Sequence, residues 1–231
     1  KVRYATIKRI YDAGKGGKSE LGGIKAEDLL EEITRIVINQ QSESLEILKS
    51  IDGELKSEKI HIINETEIDA DQHDFIKDYF YQEISPALVV IVLNEEIDLP
   101  ELKDSAAYLT IKMSNSKGAD KYALIEISKA MNRFIVLPNK GDANYIIMAD
   151  DVIRHCLDEI FNIFNYETIS AHMIKITRDG ELDFDSDLSK SFIDKLSESV
   201  KDRKSGDFVR FVHDKSIDDD TLSFLLERMD I

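Results

Sequence analysis

The sequence holds a single cysteine, Cys156. That excludes an internal disulfide and fits a reducing compartment. No apolar run approaches the roughly 18–20 residues that a membrane span needs; the longest, Ala87–Leu93, is strand-sized. No signal-peptide pattern opens the chain, and neither an internal repeat nor a low-complexity tract interrupts it. Cations are also short, with 30 Lys and Arg against 46 Asp and Glu, a formal charge of −16. Such a background repels nucleic acid and other polyanions over any broad surface, so an anion contact would need a local basic patch.

What is present is a soluble globular profile, 42% hydrophobic and 33% charged over 231 residues. That length fits one large domain or two small ones and can bury about 70–75% of its unfolded surface. The chain has no starting Met and opens inside a helical pattern, so it is expected to be a piece of something longer.

Val2, Ala5, Ile7 and Ile10 form a helical stripe that ends at the five glycines of Ala13–Gly23. Ala26–Leu55 is a long amphipathic pattern with Glu27 and Asp28 in its first turn. A helix of that length runs about 45 Å and needs packing partners. From Lys59 the pattern turns to mixed α and β, so the expected organisation is residues 1–57 and 58–231. The expected fold class is α+β, a mixed sheet with flanking helices preceded by a long N-terminal helical hairpin segment. Strands are predicted over Lys59–Ile63, Ala107–Met113, Lys121–Ile127, Arg133–Leu137, Tyr145–Met148 and Phe208–Val212. Ala87–Leu93, apolar on both faces, is predicted as an interior strand. Ser170–Phe184 is predicted as the central strand, turning at Asp179-Gly180 and resuming its apolar face at Leu182 and Phe184. Helix-patterned segments flank it at Asp150–Phe164 and Leu188–Lys201, and Asp69–Ile84 and Thr221–Met229 are further helices.

Three motifs invite chemistry and fail on detail. Gly14-Lys15-Gly16-Gly17-Lys18-Ser19 resembles a phosphate loop, but Asp12 stands where a glycine must wrap the phosphates, and no strand precedes it. Asp183-x-Asp185-x-Asp187 opens like a calcium loop, but Leu188 replaces the required Gly; capping of the following helix is the simpler role. The five histidines, His61, His73, His155, His172 and His213, are scattered. A phosphate-accepting histidine needs an orienting acid and surrounding cations. Only His155 has acids at helical spacing, Asp151 and Asp158.

Six separated stretches, in order, resemble bacterial polyphosphate kinase. They are Lys1-Val2-Arg3-Tyr4-Ala5, Ile84-Ser85-Pro86-Ala87-Leu88, the run from Tyr122 to Ile127 with Arg133-Phe134 and Leu137-Pro138, Ile153–Phe161, Thr177-Arg178-Asp179 and Val209-Arg210-Phe211. Gly180 and Asn132 depart from the family's usual Ala and Pro. The resemblance is to the end of the family's N-terminal helical domain plus its middle (head) domain. It implies a parent enzyme that reversibly transfers the terminal phosphate of ATP to polyphosphate through a phosphohistidine, with Mg2+. It implies that the nucleophile lies in C-terminal domains of phospholipase-D-like fold, which this chain lacks. The expectation is a non-catalytic, homo-oligomeric scaffold whose partners are its own missing domains. No catalytic, cofactor or metal residue is expected within it, nor a nucleic-acid partner or transmembrane segment. A cytoplasmic location is implied, compatible with peripheral membrane association.

Arg178 and Asp179 are the candidate specific residues. Either they are a structural ion-pair or turn device, or Arg178 faces the tunnel that the missing domains complete. The alternatives for the whole chain are a stand-alone acidic scaffold and, furthest, a metal-dependent hydrolase using the Asp-rich turn.

Overall fold

The computed structural model describes residues 2–12, 14, 21–93, 99, 102–104, 106–178 and 208–229. Its described helices are α1 (Val2–Asp12), α2 (Ala26–Ser57), α3 (Ala70–Tyr79), α4 (Ala149–His155), α5 (Leu157–Ile160) and α6 (Asp219–Met229). Its strands are β1 (Ile60–Ile63), β2 (Val89–Leu93), β3 (Ala107–Ser114), β4 (Lys121–Ile127), β5 (Phe134–Lys140), β6 (Ala143–Met148), β7 (Thr168–Arg178) and β8 (Phe208–His213). The chain is α+β, as the pattern predicts, with the strands divided between two sheets. Two compact units share it: Lys1–Leu48 with Glu101–Ser105 and Ile176–Phe211, and Lys49–Pro100 with Ala106–Lys175 and Val212–Ile231.

In the first unit, Ala5 and Leu102 are buried. Helix α2, which continues past Leu48, buries no residue along its length. Leu45, Ile47 and Leu48 are each more than half exposed. The helix ends on Lys59, a non-glycine residue at φ 61°, whose amide donates to the Lys56 carbonyl. A left-handed residue is the usual way to close a helix, though glycine is the usual occupant. Here the Lys59 carbonyl is held by the Asn144 amide at 2.8 Å and its ammonium by Asp142 at 3.1 Å.

The second unit holds the main core. The smaller sheet runs β1-β6-β5, with β1 and β6 parallel and β5 and β6 antiparallel. Pro138 lies at the register shift between Leu137 and Lys140 on the outer strand β5, where its missing N–H costs nothing. The larger sheet runs β2-β4-β3-β7-β8. Leu109, Ile111, Met113, Ala123 and Ile125 give one of its faces to the cluster that contains Ile76 and Phe80 near α3 and Val152 and Ile153 from α4. The opposite face carries Tyr122, which stacks on Phe224 of α6 at 3.9 Å, and Lys112, bound to Asp218 at 2.9 Å. Asp218 also accepts from the Thr221 amide and hydroxyl, opening α6. β3 is therefore covered on both sides.

Helix α3 begins at a capping box. Asp69 accepts from the Asp71 and Gln72 amides while the Gln72 side chain accepts from the Asp69 amide. Lys140 pairs with Asp69. The helix continues through a π turn, Phe80–Ile84, to a short 3-10 turn, Ser85–Ala87, containing Pro86.

Three expectations change. Ala87–Leu93 is not interior: β2 is the outermost strand beside β4, and Val89, Val90 and Val92 are exposed. Apolar residues on both faces read alike whether or not the second face is covered, and here it is not. Ser170–Phe184 is not the central strand either, since β7 lies between β3 and β8 and β3 is the middle one. The predicted helix from Asp150 is broken at Cys156 (φ −102°, ψ 17°) into α4 and α5. Asp179-Gly180, Leu182, Phe184, Leu188–Lys201 and the Asp183–Asp187 turn lie outside the described residues, as do Lys15 to Ser19 of the glycine-rich motif. Among the described residues no helix is long and apolar enough to cross a membrane.

Candidate functional site

The densest group of charged side chains in the second unit gathers around α4. The chain leaves β6 at Met148 and turns straight into helix, placing Asp150 and Asp151 in the first turn, where free amides favour carboxylates. Arg154 follows one turn later. Its Nη1 donates to Asp150 at 3.0 Å and to Asp151 at 2.7 Å. Its Nη2 donates to Asp214 at 3.3 Å, and its Nε to the Ala171 carbonyl at 3.3 Å. Asp214 in turn accepts from the Met173 amide at 2.7 Å. One guanidinium thus ties α4 to β7 and to the turn after β8. The Arg154 side chain is only 14% exposed, so these are interior ion pairs. Burial opposes its charge, but Asp150 and Asp151 outweigh burial and hold the guanidinium above its ordinary value. Asp151 moves the other way. Burial, then the charge of Asp150, push its carboxyl from 3.8 up to about 7, against the pull of Arg154. A hydrogen bond with the Glu65 side chain adds to the rise.

Beside this network His73 of α3 meets His155 of α4, Nδ1 to Nε2 at 2.7 Å, with the rings nearly perpendicular. Burial lowers His155, and the nearby His73 and Lys77 lower it further. A cleft of about 460 Å³ opens between Glu65, Arg154, His155, Asp158, His172 and Asp214. Burial also lowers His172, against the attraction of Asp214 and Asp218, and its Nδ1 lies 3.3 Å from the Ser216 hydroxyl.

The arrangement is suited to holding elements together. Arg154 spends its donors on three carboxylates and a carbonyl. The cleft walls are acidic, which disfavours phosphate, and burial holds the His155 and His172 imidazoles toward neutrality. Among the described residues no group of three or more His, Cys, Asp or Glu could hold a metal ion.

Sequence spacing offered Asp151 and Asp158 to His155. The structure gives Asp151 to Arg154, Asp158 to the Tyr166 hydroxyl at 2.8 Å, and His155 to His73. Asp151 is taken by its own helical neighbour Arg154, while His155 and Asp158 meet partners from other segments. His61 stacks on Tyr145, and His213 Nδ1 lies 2.9 Å from the Asp214 carbonyl. Arg178 is in the first unit. Its amide donates to Asp104 at 2.8 Å, and its guanidinium lies 4.1 Å from the centre of the Phe208 ring. Asp179 is outside the described residues. Sequence reasoning missed Arg154 and Asp214 as a site. The Asp-Asp-x-x-Arg spacing on one helix turn was the available signal for the first, and nothing local signals the second.

Residues 71–231 match the family model described as the polyphosphate kinase middle domain. The chain is 32% identical to polyphosphate kinase of Vibrio cholerae, covering 100% of this chain and 33% of that protein. It is 30% identical to polyphosphate kinase of Escherichia coli K12, covering 100% of this chain and 34% of that one. It spans about a third of the length of these curated relatives. Among solved structures it superposes on polyphosphate kinase from Porphyromonas gingivalis with a TM-score of 0.71 at 21% identity, covering 99% of this chain and 31% of that one; this likeness concerns the fold.

Proposed function

The chain belongs to the polyphosphate kinase family, and from that premise we propose that it is a non-catalytic portion of such an enzyme. Residues 1–57 are the end of its helical domain and residues 58–231 its middle domain. The parent enzyme reversibly moves the terminal phosphate of ATP to polyphosphate through a phosphohistidine, using Mg2+, in the cytoplasm. This portion scaffolds the catalytic domains and contributes to a homodimer.

The observation that carries the reading is the fit of the entire chain to one third of its relatives, together with what occupies its histidines. A phosphate-accepting imidazole needs cations around the incoming phosphate. His155 is engaged by His73 instead, and His172 faces a cleft walled by Glu65, Asp158 and Asp214. The exposed apolar residues of α2 fit a portion that packs against other domains.

The test is an assay of the 231-residue chain with ATP and polyphosphate. The expected result is no ATP-dependent chain growth and no phosphohistidine. Stable label from ATP on His61, His73, His155, His172 or His213 would overturn the reading.

A further inference from the structure

His73 and His155 are 82 residues apart in sequence and join α3 to α4 through one imidazole–imidazole hydrogen bond of 2.7 Å. Such a bond needs an N–H on one ring and a bare nitrogen on the other. While either ring keeps a bare nitrogen at the contact, the other can donate to it, and a single added proton on the pair strengthens the bond. A second proton does not, because it sets two N–H groups and two positive charges against each other at hydrogen-bond distance.

We propose that the His73–His155 pair is a proton-operated latch between α3 and α4, closed while at least one of the two rings is neutral and released when both are protonated. This goes beyond the scaffold role and does not depend on it.

The groups around the latch decide how readily it opens. On α3, Lys77 opposes a second positive charge, although Glu159 of α5 holds its ammonium at 2.5 Å. On the segment after β1, Glu65 attracts it, while its carboxyl also binds Asp151. On α4 itself, Arg154 is neutralised by its carboxylates. On α5, Asp158 shares the cleft wall but is engaged by Tyr166, and across the cleft stand His172 and Asp214. Cys156, next in the chain, is buried with its thiol pushed up to about 11 by burial, so it brings no charge. The second proton on the pair meets the first across 2.7 Å and is opposed by Lys77 as well, which places the opening in the mildly acidic range.

The experiment is hydrogen exchange of the α3 amides in the full chain from about pH 7 to about pH 5, corrected for intrinsic exchange, alongside nitrogen NMR of the imidazoles. The expected result is a loss of α3 protection of about tenfold or more on acidification, while β3 and β4 stay protected. His155→Gln, which can accept from His73 but cannot titrate, is expected to abolish the step. His73→Asn, whose amide can turn to meet either protonation state, is expected to abolish it too. In the unaltered chain near neutrality, at least one of the facing nitrogens, His73 Nδ1 and His155 Nε2, is expected to be unprotonated. A flat profile in the unaltered chain, the same step in a folded His155→Gln or His73→Asn variant, or protons on both facing nitrogens at neutral pH would each overturn the latch.

Discussion

Arg154 and Asp214 lie 60 residues apart and meet at 3.3 Å, and Asp214 is also the acceptor for the Met173 amide. The contact makes a single side chain of α4 responsible for the position of the turn after β8. Removing the guanidinium takes the shared cation from Asp151 and from Asp150, which keeps only Arg133 at 3.8 Å. Arg154→Ala is expected to cost about 3–5 kcal/mol, the range for breaking an interior ion pair from one side. Asp214→Ala is expected to cost less, about 1–2 kcal/mol, because Asp214 is more exposed and Arg154 keeps two partners. Urea titration of both variants checks the order, and an Arg154→Ala protein as stable as the parent would refute it.

Asp151 and His155 impose opposite pH slopes. The Asp151 carboxyl is raised to about 7, so its contribution is full below its ordinary value near 3.8 and is lost as pH rises toward 7. His155 is lowered from 6.5, so its contribution is present above that value and is lost as pH falls through the lowered one. Between about pH 4 and about pH 7 the two partly cancel. Asp151→Asn is expected to leave a stability that rises with pH over that window, and His155→Gln one that falls. Thermal melts across the window test this; parallel slopes in the two variants would count against it.

Helix α2 and the core should respond oppositely to substitution. Leu45→Glu and Leu48→Glu replace exposed side chains and are expected to change stability by no more than about 0.5 kcal/mol. Ile76→Ala, fully buried under the larger sheet, is expected to cost about 2–5 kcal/mol. On the proposed reading that α2 packs against further domains, the two substitutions are expected to loosen that packing, which sedimentation of a full-length relative carrying them would reveal.

Arg178 offers a direct comparison of its two readings. Its bond to Asp104 uses the backbone amide and survives any side-chain change, while its guanidinium stacks on Phe208. Arg178→Ala is expected to lose at least about 0.5–1 kcal/mol, the worth of a cation–π contact. A neutral melt with crippled turnover in the complete enzyme would favour the tunnel-facing role.

Periodicity carried most of the fold. The helix opening at Asp69, the strands Ala107–Met113 and Lys121–Ile127 and the long helix from Ala26 are set by residues near each other in sequence, and each is found where the pattern places it. What stayed hidden depends on distant partners. Val89 and Val92 look like core residues, yet no layer covers them. The Asp-Asp-x-x-Arg turn was visible, but its link to Asp214 was not, because only tertiary packing brings it near. The same holds for His73, which no local pattern marks as a partner of His155.

The buried thiol at the break between α4 and α5 has a practical consequence. Cys156 is the chain's one sulfhydryl, it is fully enclosed, and its pKa of about 11 leaves almost no thiolate at neutral pH. A maleimide or iodoacetamide will therefore ignore the folded protein and modify only molecules whose α4–α5 region has come apart. The rate of alkylation becomes a one-site clock for that opening, readable by mass without adding any label to the sequence.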